Sequence, residues 1–261
     1  MMSDPFSISP SPGFLYQTQA IKAALHKTRY AIDRRQGLTA ILGDVGMGKS
    51  SLLRLLVGDY DAREDATTSF IPTPAFPSDF AFLKEVAGDL GLPAKRSFQT
   101  QEQELRAFLL DQFQEGKNVV LFIDEAQRLK NSMLEVVRAM LNYETNSAKL
   151  IQIVLAGQIE LRDRLLDETN KAIRSRIFAP SVLAPLTLGE TKAMIAFRCS
   201  QSEISLPFSD DVIREIYEAT GGVPREILKV CAVSYELARV NGLTEVPAEL
   251  VEMAKTEAVL R

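Results

Sequence analysis

The sequence predicts an α/β domain, a parallel sheet covered by helices on both faces, followed by a small all-α domain. Three observations predict it. Short apolar runs alternate with helical patterns through the first two thirds of the chain, the order that parallel β-α-β units require. The run 119–123 is apolar without interruption, as in a strand buried on both faces. Beyond Pro185 only helical periodicity remains. The expected divisions are therefore an N-terminal arm over residues 1–16, an α/β domain over 17–185 and a helical domain over 186–261.

Residues 1–13 are rich in Ser and Pro and read as irregular chain. Ile21, Leu25, Tyr30 and Ile32 outline a helix over 17–35. Residues 38–42 form a short buried strand, and leucines at helical spacing mark a helix over 49–57. A short strand at 69–72 is stopped by Pro72 and Pro74. Helices follow over 78–90 and 100–115, the first closed by Gly91 and Pro93. After the strand 119–123 come a helix over 132–143, a buried strand at 150–156, a helix over 159–168 and a short strand at 179–183. The helical domain reads as 188–201, 210–219, 224–240 and 246–258. Ser209 suits the N-cap of the second of these and Gly221 its stop. Pro224 suits the first position of the third, where a missing N–H costs nothing.

Composition narrows the functional classes. The 261 residues are 46% hydrophobic and 25% charged, the balance of a globular protein with a sizeable core. A net charge of −4 supplies no bulk field for polyanions, so any DNA contact must come from a local patch. No apolar run approaches the ~20 residues of a membrane helix. The first residues lack a signal peptide's basic and apolar regions, so the expected place is the cytoplasm, without membrane insertion. Cys199 and Cys231 lack metal-like spacing and read as buried thiols. His26, the sole histidine, reads as a surface or packing residue, which excludes His-dependent triads.

Two motifs carry chemistry. Gly43, four residues, then Gly48-Lys49-Ser50 is a phosphate loop between a strand and a helix. Its glycines let the backbone approach phosphate oxygens. The N–H groups of Asp44, Val45, Gly46, Met47, Gly48, Lys49, Ser50 and Ser51 then form an anion nest at a helix N-terminus. Lys49 would reach the β- and γ-phosphates of ATP, and the Ser50 hydroxyl would bind Mg²⁺. Downstream, the apolar strand ends in Asp124-Glu125. Two adjacent carboxylates alone also suit a solvated helix cap. Paired with the loop, Asp124 is placed to reach Mg²⁺ and Glu125 to act as general base on a water.

Further segments extend the pattern: "DPFSISPSPGFLY" at 4–16, "NYETNSAKLIQIVLAGQIELRDRL" at 142–165, "IRSRIFAPSVLAPLTLGET" at 173–191 and "GGVPREILKVC" at 221–231. In this order, with "GDVGMGKSSLLRLL" and "FIDEAQRL", they resemble the AAA+ P-loop ATPases, in particular the ExeA-like group related to the initiator, MuB and TnsC ATPases. The resemblance implies a sensor role for Gln158, for which a helix-capping amide is the alternative. It implies an arginine finger at Arg176, or else Arg174, entering a neighbouring subunit's ATP site, against an ordinary surface role. It implies that Arg225 faces the γ-phosphate from the helical lid; otherwise Arg225 is a surface cation. A finger in trans implies a ring or helical homo-oligomer. The process driven by ATP stays open between a DNA-associated, transposition-type helper with a transposase-type partner, envelope secretion or pilus assembly, and an ATP-switched scaffold. The chain stops after the lid, without the membrane span usual in the secretion ATPases, which favours the first. For duplex DNA the candidate contacts are Lys95 and Arg96 in one loop, and Arg128 and Lys130, with Asn131, in another; ordinary solvated charges are the alternative.

Overall fold

The computed structural model describes residues 4–9 and 11–258. The chain divides into two compact units. One holds Ala20–Asp44 and Leu52–Leu183; the other holds the N-terminal segment through Gln19, Val45–Ser51 and the chain from Ala184 onward.

The α/β unit is built from α1 (Gln19–Asp33), β1 (Leu38–Leu42), α2 (Lys49–Asp61), β2 (Ala66–Ile71), α3 (Asp79–Asp89), α4 (Phe98–Gln114), β3 (Asn118–Ile123), α5 (Asn131–Met140), β4 (Ile151–Gly157), α6 (Ile159–Leu166), α7 (Lys171–Arg174) and β5 (Ser181–Val182). The five strands form one sheet in the order β2-β3-β4-β1-β5. Every pairing is parallel, so all strands end at one edge. Register aligns Leu42 with Gly157 and Ile123 with Leu155. The chain that follows β4 therefore emerges between the ends of β3 and β1.

β3 and β4 are buried throughout, as their apolar runs require. The polar side chains Gln152 and Asn118 inside them bond backbone groups. Gln152 accepts from Gly37 N at 2.8 Å and donates to Lys149 O at 3.1 Å. Asn118 Nδ2 donates to Ile32 O at 2.8 Å. Each bond joins the strand to the segment beside it and offsets the cost of burying an amide.

The parallel, helix-flanked sheet is the fold class expected from the pattern, with differences of detail. α2 runs a turn beyond 57, to Asp61. β2 begins at Ala66, earlier than expected, because an edge strand tolerates the half-exposed Thr67 and Thr68, which bond Gln112 and Asp61. β5 has two residues only, confined between Pro180 and Pro185. α7 was not expected at all. Tyr30 does not join the buried face of α1; it is 48% exposed and stacks on Phe178.

The helical unit contains α8 (Leu188–Gln201), α9 (Asp210–Thr220), α10 (Pro224–Val240) and α11 (Ala248–Ala258). Thr187 and Glu190 form a capping box on α8. Ser209 caps α9 by accepting from Val212 N, and Gly221 ends it at φ +59°. Ile195, Cys199, Ile216, Ile227, Cys231 and Val251 lie in its core. The N-terminal segment is packed into that core. Phe6 is fully buried, edge-on to Phe208 at 5.6 Å and to Tyr235 at 5.5 Å. Arg198, 7% exposed, donates to Pro5 O at 3.2 Å and Ser7 O at 2.9 Å, and lies over the Phe14 ring. Its burial lowers the guanidinium pKa to about 10. Both thiols are free and buried. Among the described residues no helix is long and apolar enough to cross a membrane.

Candidate functional site

The strand β3 delivers Asp124 and Glu125 at the carboxyl edge of the sheet. Asp124 is 6% exposed; its backbone N–H donates to Ile71 O at 2.9 Å and its Oδ1 accepts from Glu125 N at 2.8 Å. Glu125 takes a left-handed conformation, φ +50°. For a non-glycine residue this costs on the order of 1–3 kcal/mol and persists only where the surroundings impose it. They do so here. A 3-10 turn, Ala126–Arg128, follows at once, and Arg128 N donates back to Glu125 O at 2.9 Å.

Amides hold the Glu125 carboxylate. Its Oε2 accepts from Gln127 Nε2 at 2.6 Å and from Gln158 Nε2 at 3.4 Å. Gln127 Oε1 in turn accepts from Gln158 N at 3.1 Å. Gln158 thus emerges from β4 onto the carboxylate; it is the N-cap residue of α6, but its side chain makes no capping hydrogen bond there. Gly157 permits the approach: a Cβ there would lie 2.5 Å from Leu161 Cδ2 and 3.3 Å from Gln127 Oε1. Arg164, on α6, fixes the turn from outside. It donates to Gln127 O at 2.8 Å, Leu129 O at 2.7 Å and Asn131 Oδ1 at 2.7 Å. The buried Asn170 bonds the Arg164 carbonyl at 2.9 Å. Gln127 and Arg164 lie in the segments 122–129 and 142–165 that carry the resemblance, but neither periodicity nor the two nucleotide motifs assign them a role.

The phosphate loop leaves β1 at the same edge, where Gly43 N donates to Gly157 O at 3.3 Å. Gly46 and Gly48 adopt φ +83° and +87°, conformations that suit glycine. Lys49 is 6% exposed and opens α2, whose first turn carries no acidic residue to compete for its N–H groups. In the helical unit, Arg225 N donates to Gly46 O at 3.2 Å. A Cβ on Gly46 would meet Arg225 Cβ at 2.9 Å and Val223 Cγ1 at 3.0 Å, so this close approach requires glycine. Arg225 is half-buried in the first turn of α10, with Glu226 as the acidic residue of that turn. The donor set fits a nucleotide with Mg²⁺. Backbone N–H groups and a lysine suit phosphate, while a hydroxyl and one carboxylate suit a cation that keeps its waters and substrate oxygens. Among the described residues no cluster of three or more His, Cys, Asp or Glu could hold a metal by itself.

The other candidates lie elsewhere. Arg174 is bonded to Leu166 O at the end of α6 and paired with Glu168 at 3.5 Å. Arg176 donates to Arg138 O at 3.1 Å and Asn142 Oδ1 at 2.7 Å, at the end of α5. Lys95 is paired with Glu104 at 2.9 Å, whereas Arg96 and Arg128 are exposed. Lys130 Nζ donates to Pro77 O at 3.1 Å.

Residues 32–165, about half of the chain, match a family model described as an AAA domain. The chain is 30% identical over 230 residues to general secretion pathway protein A of Aeromonas hydrophila, covering 87% of this chain but 42% of that protein. It thus spans less than half the length of this relative. Its fold superposes on Aeropyrum pernix ORC2 in ADPNP–ADP complexes with a TM-score of 0.72 at 16% identity, covering 98% of this chain and 72% of that one. Aeropyrum pernix ORC1 in complex with DNA gives a TM-score of 0.72 at 14% identity, covering 97% and 69%. At these identities the structures establish the fold.

Proposed function

The chain belongs to the AAA domain family, and from that premise we propose that it binds ATP with Mg²⁺ and hydrolyses the ATP in a homo-oligomer with shared active sites. The observation that carries the reading is Glu125. A carboxylate is held at a strained, half-buried position by two amides, at the sheet edge where the phosphate loop begins. Lys49 and the N–H groups of the loop hold the phosphates. Ser50 and Asp124 are the residues to hold Mg²⁺, which when bound neutralises charge on the β- and γ-oxygens. Glu125 accepts the proton of the attacking water, and Gln158 helps to orient that water. Arg225 faces the γ-phosphate from α10; the dipole penalty of its position, ~0.3–1 kcal/mol, is reversed by a bound anion.

Arg176 is the preferred finger toward a neighbouring subunit, with Arg174 second. Each is anchored at a helix end by one guanidinium nitrogen bonded to a carbonyl, which holds its position. Such residues supply roughly 10³–10⁵ in rate in other NTPases. An Arg176→Ala chain has an intact Glu125, and a Glu125→Gln chain has an intact Arg176. Mixing the two inactive variants is expected to restore part of the turnover. Absence of any restored turnover would contradict the shared site.

For the process served, we favour a cytoplasmic, DNA-associated role with a transposase-type partner. Support comes from the superposition on a protein solved in complex with DNA, and from the exposed cations Arg96, Arg128 and Lys130. Lys95 is a weaker contact because Glu104 already neutralises it. The likeness to a general secretion pathway protein favours a second reading, envelope assembly. Duplex DNA binding measured with ATP at two salt concentrations separates them: the first reading requires binding that weakens with salt.

A further inference from the structure

We infer that the solvent-facing ridge of α1 binds single-stranded nucleic acid, with a base stacked on Tyr30 and phosphates held by the cations around it. This surface lies on elements other than the loops that carry Arg96, Arg128 and Lys130.

α1 buries Ile21, Ala24, Leu25, Thr28, Ala31 and Ile32. Its other side carries Lys22, His26 and Tyr30 at four-residue spacing, all exposed, so they form one ridge. Arg34 extends the ridge, because its N–H still bonds Tyr30 O at 3.0 Å just past the end of the helix. By helix rise the ridge spans roughly 18 Å, about five nucleotides at the axial spacing of one strand.

His26, Arg29, Tyr30, Asp33 and Arg34 line a cleft of about 390 Å³ on this side. Its charge stays positive after internal pairing. Asp33, the one carboxylate of α1, already accepts from Tyr60 Oη at 3.0 Å and from Arg63 at 2.8 Å. Arg29 is paired with Asp59 at 2.5 Å. Lys22, Lys27 and Arg34 are exposed and have no carboxylate partner among the described residues. A chain of net charge −4 thus presents a local run of free cations here.

Tyr30 separates a nucleic acid from other polyanions. Its ring stacks on Phe178 with centroids 5.9 Å apart and 20° between the planes. Phe178 is itself fixed beside β1, where its N–H donates to Leu38 O at 2.7 Å. Tyr30 nevertheless stays 48% exposed. A ring held firmly yet left open has little rotamer freedom to lose when a base stacks on it. Cations flanking an open ring suit a single strand, with backbone on the charges and a base on the ring. An acidic polypeptide would use the charges and leave the ring without a partner.

The test follows the anisotropy of a fluorescent oligothymidylate titrated with the full chain at several salt concentrations, with and without ATP. The wild type is expected to bind at low salt. Tyr30→Ala is expected to weaken binding about tenfold, the order of one lost base–ring stack. Tyr30→Phe keeps the ring and is expected to bind like the wild type. Lys22→Gln with Arg34→Gln is expected to weaken binding and to reduce the slope of log affinity against log salt by about 1.4, the share of two phosphate contacts on a single strand. Arg128→Glu with Lys130→Glu, which strikes the loop cations of the duplex DNA reading, is expected to leave single-strand binding unchanged. An equal loss in that variant would place the strand on the loops and overturn the inference. So would full affinity in Tyr30→Ala, or no binding by the wild type with or without ATP. Competition by polyglutamate equal to that by unlabelled oligothymidylate would overturn the choice of nucleic acid. A duplex bound as tightly, with the same loss in Tyr30→Ala, would overturn the choice of a single strand.

Discussion

Two irregular segments of this protein are each pinned by one arginine that donates to backbone carbonyls. Arg164 pins the turn after β3, and Arg198 pins the segment before Phe14. The pinned segments differ in what they carry. The turn presents Glu125, half-buried and in a strained backbone conformation, at the sheet edge. The N-terminal segment presents Phe6, fully buried among aromatic rings. Arg198 is itself buried and its charge is compensated by carbonyl dipoles and a ring face, so it functions as core. Arg164 is half-buried and adds an asparagine to its carbonyls, so it functions as a support for a reactive group. The same chemistry stabilises a fold in one place and a geometry in the other.

That contrast can be broken from either side. Arg164→Met keeps the aliphatic stem but frees the turn. Turnover is expected to fall by about a hundredfold, the usual cost of misplacing a catalytic group, with nucleotide affinity nearly kept. A fall in affinity equal to the fall in turnover would show that Arg164 only supports folding. Arg198→Met should do the reverse. Leaving buried carbonyls without donors costs roughly 1–3 kcal/mol each, so the denaturation midpoint should drop while turnover per folded molecule persists.

The smallest effect concerns pH and the helical core. Burial lifts the Cys199 thiol from 9.0 to about 11 and lifts Cys231 as well. Between those values the folded chain holds a proton that the unfolded chain releases, so stability is lost as pH rises from about 9 through about 11. The urea midpoint should therefore fall between about pH 8 and about pH 10, and fall less in a Cys199→Ala variant. Equal losses in variant and parent would assign the effect to other groups.

Much of this was legible in the sequence, for identifiable reasons. β3 and β4 were readable because burial on both faces demands continuous apolar residues. α10 was readable because Pro224 announces its start. The network around Glu125 was not. Arg164 acts on carbonyls 35 and 37 residues away, and a carbonyl is common to every residue, so nothing in the side-chain pattern marks its target. Residues 1–13 read as irregular chain; residues 4–9 are turns and irregular chain, whereas Pro12–Phe14 form a short 3-10 helix, and what composition hides is that Phe6 completes the core of the helical unit. α7 escaped because its four residues are too few for a helical period to show.

The central claim is that Glu125 is the base of a hydrolase, and single-turnover ATP hydrolysis by Glu125→Gln tests it most directly. The substitution keeps the size and one oxygen of the side chain and removes the charge that accepts a proton. The account predicts that nucleotide binding is retained and that hydrolysis falls by roughly 10²–10⁴-fold, the contribution of a general base. Hydrolysis near the wild-type rate in that variant would contradict it.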